Sequence, residues 1–392
     1  MTENAFFRGP HKEHPALKAS PEEGLLLVCH SLKALQVQRL VNKLINIFGG
    51  SSPHVLSITR KGVKIQFEGR GVSFLDQEMF SLAEHLLKEV EFFLLDYYLK
   101  DALFLDRIYP EWFHIGSGPK NYLLFPEFPK ASLPDTEILP GGIILEDKVI
   151  KILTEVDYSL QTDLWEDISH SWFADTNDAR DKTACGEVLP PSFAGEKYSY
   201  VLAPRYSHQA MEVGSASALL FWLKTENPLV LSLLEKLSQR IPLLSALLKI
   251  PPFNSVLGRH IARAIKSLLN LRIAMRELQE LQRLLEKGER DTISPLRQDY
   301  SQREYEGKGL AEAPRGALLH KVFLQDGTIK SYQVISPSTW NMSPCDSKGI
   351  PGPCEQALLG IEVRDTEFPL ELYRLIRSFD PCMACAVHCT TV

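Results

Sequence analysis

Cys382, Cys385 and Cys389, three of the chain's seven cysteines, stand within its last eleven residues, and His388 lies among them. Two thiolates spaced C-x-x-C, as Cys382 and Cys385 are, can converge on one soft metal, and a nearby imidazole can bind the same ion or a second one. Other chemistries share parts of this pattern. A structural zinc site takes four ligands, with a second Cys/His pair that the sequence does not contain. A c-type haem needs histidine directly after the second cysteine, where Ala386 and Val387 stand instead. A redox dithiol ordinarily opens a helix after a strand. The residues by themselves favour metal binding and leave the metal unspecified.

A body of 392 residues has to place that segment, with 44% hydrophobic and 23% charged residues, the composition of an ordinary globular protein. Its net charge of −6 argues against a nucleic-acid partner, because phosphate binding needs an excess of Lys and Arg on one face. No apolar run reaches the roughly 18 residues of a membrane helix. Met1 to Pro15 is polar and lacks the apolar stretch of an export signal, so the chain reads as soluble on its own. An odd, thinly spread cysteine count is no disulfide framework.

Apolar spacing predicts an amphipathic helix over Pro21 to Phe48, closed by Gly49-Gly50, and a long helix over Asp76 to Leu105. Val55 to Glu68 reads as a hairpin and Ile143 to Val156 as strand structure. Ser215 to Leu248 and Ser255 to Lys287 are helical, parted by Pro251-Pro252. Leu319 to Ile335 is a hairpin around Asp326-Gly327, and a short helix from Leu370 to Ser378 leads into Asp380-Pro381-Cys382. The fold class is α+β and helix-rich, one domain over residues 1–392.

The segment Ser378-Phe-Asp-Pro-Cys382-x-x-Cys385-x-x-His388 resembles the C-terminal signature of the large subunit of uptake-type nickel–iron hydrogenases. Further stretches of that family match in order. They are Phe48-Gly49-Gly50-x-x-Pro53-His54, His170-Ser171-Trp172, Lys197-Tyr198-Ser199 through Ala203-Pro204-Arg205-Tyr206 to Met211-Glu212-Val213-Gly214, Ser255-x-x-Gly258-Arg259-His260-x-Ala262-Arg263, Glu312-Ala-Pro-Arg315-Gly, and Pro337-Ser338-Thr-Trp340-Asn341. The resemblance implies a Ni–Fe(CN)2CO centre, with Cys382 a terminal nickel ligand and Cys385 a nickel–iron bridge. It implies that Arg315 stands over the open face of the centre, that Asp380 pairs with Arg315, and that Ser338 donates to a cyanide. It makes His388 a ligand of a buried magnesium or iron ion near the C-terminus, with a backbone carbonyl near Val334 as a possible co-ligand, and the point at which a maturation protease cuts. It implies reversible heterolytic oxidation of H2, a partner small subunit carrying iron–sulfur clusters, and a membrane-associated, periplasmic location reached through that partner, or a cytoplasmic one if the chain is unprocessed.

The family's other cysteine pair, of the form R-x-C-G-x-C, does not occur in this sequence. Ala5 to His11 resembles a stretch downstream of that pair, so the chain reads as the C-terminal two-thirds of such a subunit. It then supplies half of the thiolates, and a separate chain would carry the rest. The alternative is an inactive or split subunit acting as a scaffold or assembly partner, with zinc at Cys382, Cys385 and His388 a more remote option. Outside the resemblance, Arg315 reads as a surface arginine, Asp380 as a helix-end residue and Ser338 as a turn residue. Cys29 reads as a small core residue, and Cys185, Cys345 and Cys354 as loop residues without a role. His54, His170 and His260 read as structural hydrogen-bonders, and the basic residues of Ser255 to Lys287 as a solvated face.

Overall fold

The structure is a computed structural model, which describes residues 14–59, 62–63, 76–127, 139–154, 157, 160, 163–174, 189–190, 195–242, 244, 253–289 and 303–382. Cys185, Cys385, His388 and Cys389 lie outside the described residues. The backbone groups into two compact units, Met1–Phe104 with Ala264–Ser301, and Leu105–Arg263 with Gln302–Val392. Helices and strands mix in the way the sequence predicts, with long helices and short antiparallel sheets. No helix among the described residues is long and apolar enough to cross a membrane.

The first unit is built on helices. Helix α1 runs Pro21–Gly49, and its start is fixed by a capping box. Ser20 Oγ accepts from the Glu23 amide at 3.2 Å, and the Glu23 carboxylate accepts from the Ser20 amide at 2.9 Å. Gly50 closes the helix in the left-handed region. Helix α2, Gln77–Phe93, is capped by Asp76 and passes through one π turn, Leu94–Tyr98, into α3, Leu99–Ile108. One helix predicted over Asp76 to Leu105 is therefore interrupted: the extra residue in the π turn lets the adjacent Leu94 and Leu95 both be buried. Strands β1 (Ile58–Thr59) and β2 (Gly62–Val63) pair antiparallel, which gives the predicted hairpin its two central rungs. Cys29 is exposed rather than a core residue, because α1 buries Leu27 and Val37 and turns Cys29, Leu25, Leu32 and Leu35 to solvent.

The second unit surrounds three small sheets. Strands β3 (Tyr122–Leu124), β4 (Gly141–Leu145) and β5 (Lys148–Leu153) form an antiparallel meander, with Leu123 opposite Ile143. Strands β6 (Leu164–Asp167) and β7 (Ala203–Tyr206) pair beside it in sequence. Helix α4, Ser215–Lys224, is apolar nearly all round, with Ala216 to Trp222 buried, and packs on β3 and β4. The helical stretch predicted to run on to Leu248 breaks after α4. Glu226 turns left-handed, Asn227 caps with its side chain, and Pro228 opens α5, Pro228–Arg240. Helix α6 is Val256–Glu286, in the predicted place.

The third sheet is β8 (Glu304–Ala313), β9 (Gly316–Gln325) and β10 (Thr328–Ile335), in the order β10-β9-β8. The β9–β10 hairpin turns at Asp326-Gly327 as predicted, and β8 is an additional strand. Three short helices follow: α7 (Pro337–Asn341), α8 (Pro353–Leu358) and α9 (Leu370–Ser378). Cys354, predicted in a loop, is instead buried in α8.

Gly142 is where the meander and α4 meet most closely. A Cβ on this residue would collide with the buried Phe221 ring and the Lys151 carbonyl. Gly142→Ala is expected to lower unfolding stability by about 1–3 kcal/mol, the usual cost of overpacking a filled core. An unchanged denaturation midpoint would show that α4 and the sheet can part at no cost.

Candidate functional site

The Cys382 segment is delivered by the end of α9. After Ser378 the chain turns through Phe379 and Asp380, whose φ of 53° lies in the left-handed region. Aspartate tolerates that conformation better than most residues. The Asp380 amide donates to the Arg377 carbonyl at 2.9 Å, which ends the helix, and Pro381 then leads to the half-buried Cys382.

Helix α7 meets the segment from the other side. Ser336 caps it, and Asn341 ties it to the stretch before α4 by a two-point clamp. Its amide nitrogen donates to the Val213 carbonyl at 2.9 Å and its oxygen accepts from the Val213 amide at 3.0 Å. Ser338 is buried in the first turn of α7, and its hydroxyl oxygen accepts from the Cys382 amide at 2.8 Å.

Arg315 stands in the two-residue turn between β8 and β9, bracketed by the Ala313–Gly316 pair. That turn lies directly against the entry to α4. Gly316 has φ 129° and Gly214 φ 114°, and a Cβ on Gly316 would come within 2.6 Å of the Gly214 nitrogen. Only glycine fits at such an approach. Arg315 Nε donates to the Asp380 carbonyl at 3.0 Å and lies 3.3 Å from its carboxylate. The two terminal nitrogens of Arg315 have no acceptor among the described residues, and the Ser338 hydroxyl hydrogen likewise has none.

Beneath these groups lies an ion pair that sequence reasoning missed. Arg259 of α6 forms a bidentate pair with Glu212 at 2.8 and 3.0 Å, with both side chains at most 3% exposed. Arg259 also donates to the Gly116 carbonyl at 2.9 Å, and its guanidinium lies 3.7 Å over the centre of the Phe379 ring. One turn later, Arg263 donates to the Ser378 carbonyl at 2.7 Å. The solvated face predicted for this helix is therefore wrong at its start. The signal was present: Arg259 and Arg263 interrupt the apolar run from Val256 to Ile265, and Glu212 stands between Met211 and Val213. A charge inside an apolar stretch needs a partner.

His260 follows the same logic. Burial, then the cations of Arg263 and Arg259, push its imidazole down to about 3, so it is neutral at physiological pH. Its Nδ1 lies 3.3 Å from Arg263 Nη1, and since arginine only donates, Nδ1 accepts and the ring proton sits on Nε2.

Arg315, Asp380, Ser338 and Cys382 thus come together, together with Arg259, Arg263 and Glu212. Val334 lies in β10 opposite His320. His54 is exposed, whereas His170 Nδ1 bonds the Cys345 carbonyl at 2.9 Å. Burial pushes the Cys354 thiol up to about 12, and burial with the nearby Glu355 and Asp346 carboxylates raises that of Cys345. Neither is a ready thiolate at neutral pH. Among the described residues, no group of three His, Cys, Asp or Glu side chains could hold a metal ion. A cleft with about 20 Å³ of free space, room for one water-sized molecule, is bounded by Arg315, Asp380, Arg263 and the start of α4.

The fold is that of nickel–iron hydrogenase large subunits. It superposes on the H2-activated [NiFeSe]-hydrogenase of Dm. baculatum with a TM-score of 0.72 and 30% identity, over 93% of this chain and 70% of that one. Against the reduced Ni-Fe-Se hydrogenase of D. vulgaris Hildenborough the TM-score is 0.73 at 29% identity, over 95% and 73% of the two chains. In sequence, the chain is 34% identical to the Hydrogenase-2 large chain of Escherichia coli K12 over 400 residues, 98% of this chain and 68% of that one. It is 32% identical to the uptake hydrogenase large subunit of Rhodobacter capsulatus over 410 residues, 98% and 67% of the two chains. The nickel-dependent hydrogenase family profile matches residues 2–388, and the chain belongs to that family.

The buried pair makes a checkable demand. Arg259→Met leaves the Glu212 carboxylate buried and uncompensated, at an expected cost of about 3–5 kcal/mol in denaturant unfolding. Adding Glu212→Met should recover most of that loss. If the double variant is no more stable than the single one, the unpaired charge is not its cause.

Proposed function

We propose that this chain is a working part of a nickel–iron hydrogenase large subunit and catalyses H2 ⇌ 2 H⁺ + 2 e⁻ by heterolytic cleavage. Cys382 and Cys385 would hold the nickel–iron centre, Cys382 as a terminal ligand of nickel and Cys385 as a ligand shared by nickel and iron. The observation that carries this reading is the set of donors around Cys382. The Ser338 hydroxyl is held against the Cys382 amide and Arg315 against Asp380, and the Ser338 hydrogen and the terminal nitrogens of Arg315 lack protein acceptors among the described residues. Unspent donors of this kind fit small anionic ligands such as cyanide on iron. When bound, the bimetallic centre supplies two adjacent redox-active metals at which H2 is polarised.

The chain's own residues do the rest. Ser338 accepts the Cys382 amide and so fixes where the cysteine backbone sits, while its hydrogen remains free to donate. Asp380 holds Arg315 by its carbonyl and carboxylate, aiming the planar fork without consuming its outer nitrogens. A guanidinium so placed favours negative charge building up during heterolysis.

The centre takes four thiolates, and this sequence has a single C-x-x-C. The second pair therefore comes from residues outside this sequence. His388 would bind a magnesium or iron ion, with a backbone carbonyl near Val334, and would mark the cleavage point of a maturation protease. Electrons leave through an iron–sulfur small subunit, a partner suggested by relatives described as large chains and large subunits. That subunit places the chain on the periplasmic side of the membrane.

The assembly expressed with its partners in a maturation-competent host should contain nickel and show infrared CO and CN bands. Cys382→Ser should lose the nickel, and Arg315→Lys should keep it while H2 turnover falls about 10²-fold or more. Nickel retained in full by Cys382→Ser removes the ligand assignment. Zinc alone in the wild type favours the zinc-binding reading, and no metal favours the scaffold.

A further inference from the structure

Cys382 and Asp380 are held from above by Ser338 and Arg315. From below they meet α6, whose Arg259 and Arg263 are four residues apart and so project from one face. These two arginines have different tasks. Arg259 neutralises the buried Glu212 and spends its remaining contacts on the Gly116 carbonyl, the Ser378 hydroxyl and the Phe379 ring. Arg263 has no such obligation, and its side chain is 23% exposed. Its contacts all point to the segment or to its own support. Nη2 donates to the Ser378 carbonyl at 2.7 Å, Nη1 to His260 at 3.3 Å, and Nε lies 3.9 Å from the Asp380 carboxylate.

The Asp380 carboxylate is therefore shared. The same oxygen, Oδ2, lies 3.3 Å from Arg315 and 3.9 Å from Arg263. One carboxylate between two guanidiniums cannot give both a full bidentate pair. With Arg263 present, Arg315 is held through Nε and its outer nitrogens stay open. Without Arg263, the carboxylate can turn wholly to Arg315 and close the fork. The Ser378 carbonyl would also lose its cationic partner at the negative end of α9, loosening the left-handed turn at Asp380.

We propose that Arg263 is a positioning residue. By sharing Asp380 and holding the Ser378 carbonyl, it fixes the turn into Cys382 and keeps the outer nitrogens of Arg315 free. This rests on the reading of Cys382 and Arg315 given above. His260 supports it: a neutral imidazole accepts from Arg263 without repelling it. The groups facing Arg263 are His260 on its own helix, Ser378 and Asp380 beyond α9, and Arg315 across the carboxylate.

Hydrogen exchange on the full-length, metal-free chain tests the first half. In Arg263→Gln, the Cys382 amide should exchange about ten-fold faster, the size expected when an ordering hydrogen bond is lost. Arg263→Lys, which keeps a cation for the Ser378 carbonyl, should restore protection. Arg283→Gln, an exposed position of the same helix paired with Glu280, should leave it unchanged. An unchanged Cys382 amide overturns the proposal, and so does equal deprotection throughout α6, which would mark a general loss of structure.

The second half is read in the assembled, nickel-loaded enzyme. Arg263→Gln should shift the infrared CN bands at unchanged nickel content, and unshifted bands overturn it. A wild-type assembly without nickel would sink the hydrogenase reading and leave the exchange result standing.

Discussion

A guanidinium leaves water at little cost only when a carboxylate leaves with it, and both must find their remaining hydrogen bonds. Arg259 and Glu212 meet that condition in the interior of the second unit, and the site depends on it. Their pairing fixes where the first turns of α6 stand against the stretch that leads into α4. From that fixed position Arg259 reaches the Gly116 carbonyl and the face of Phe379, and Arg263 reaches Ser378. The last residues before Cys382 are thereby anchored to the core by charge as well as by the buried apolar side chains of Leu375 and Phe379. A hydrophobic contact would have allowed sliding; a bidentate pair with a stacked ring does not.

The same economy explains why the site draws on so many short elements. Residues near Cys382 come from α6, α7, the β8–β9 turn, the entry to α4 and the end of α9. None of these could place a side chain within a few tenths of an ångström alone. Mutual ties do it instead. Asn341 clamps α7 to Val213 by two hydrogen bonds. Gly214 and Gly316 let the Arg315 turn touch the adjacent backbone. Each tie joins the Met211–Gly214 stretch to another element, so this stretch is the hub, with Glu212 its charged member.

Much of the fold was legible because local signals agreed with burial. The helix from Leu370 to Ser378, the glycine-closed end of α1 and the Asp326-Gly327 hairpin all follow from period and turn chemistry. Failures have distinct causes. The break between α4 and α5 was written in Asn227-Pro228, but a continuous apolar period masked it. Strand β8 carries Gly307, Gly309 and several charges, a poor strand signal that only pairing with β9 overrides. Cys29 shows the limit of periodicity, which separates two faces of a helix without saying which is covered. At the site, sequence resemblance picked out Arg315, Ser338, Asp380 and Cys382, which the structure brings together. Long-range pairing of Arg259 with Glu212, 47 positions apart, leaves no local trace beyond a charge in an apolar run.

Around Cys382 the described residues leave several hydrogen-bond donors without protein acceptors. The terminal nitrogens of Arg315 and the hydroxyl hydrogen of Ser338 are among them, and the bonds to Asp380 and Cys382 are made through other atoms: Nε of Arg315, the oxygen of Ser338. Arg315 is 43% exposed, so water can take its outer hydrogens, whereas the donors of buried Arg205 are turned to the carbonyls of Pro204, Pro344 and Ile350. Arg205 is the useful contrast. It is fully buried, paired with Asp346, and has donors from each of its nitrogens in use. The difference between these two arginines in one unit is the difference between a guanidinium wholly committed to the fold and one whose outer nitrogens the described residues leave open.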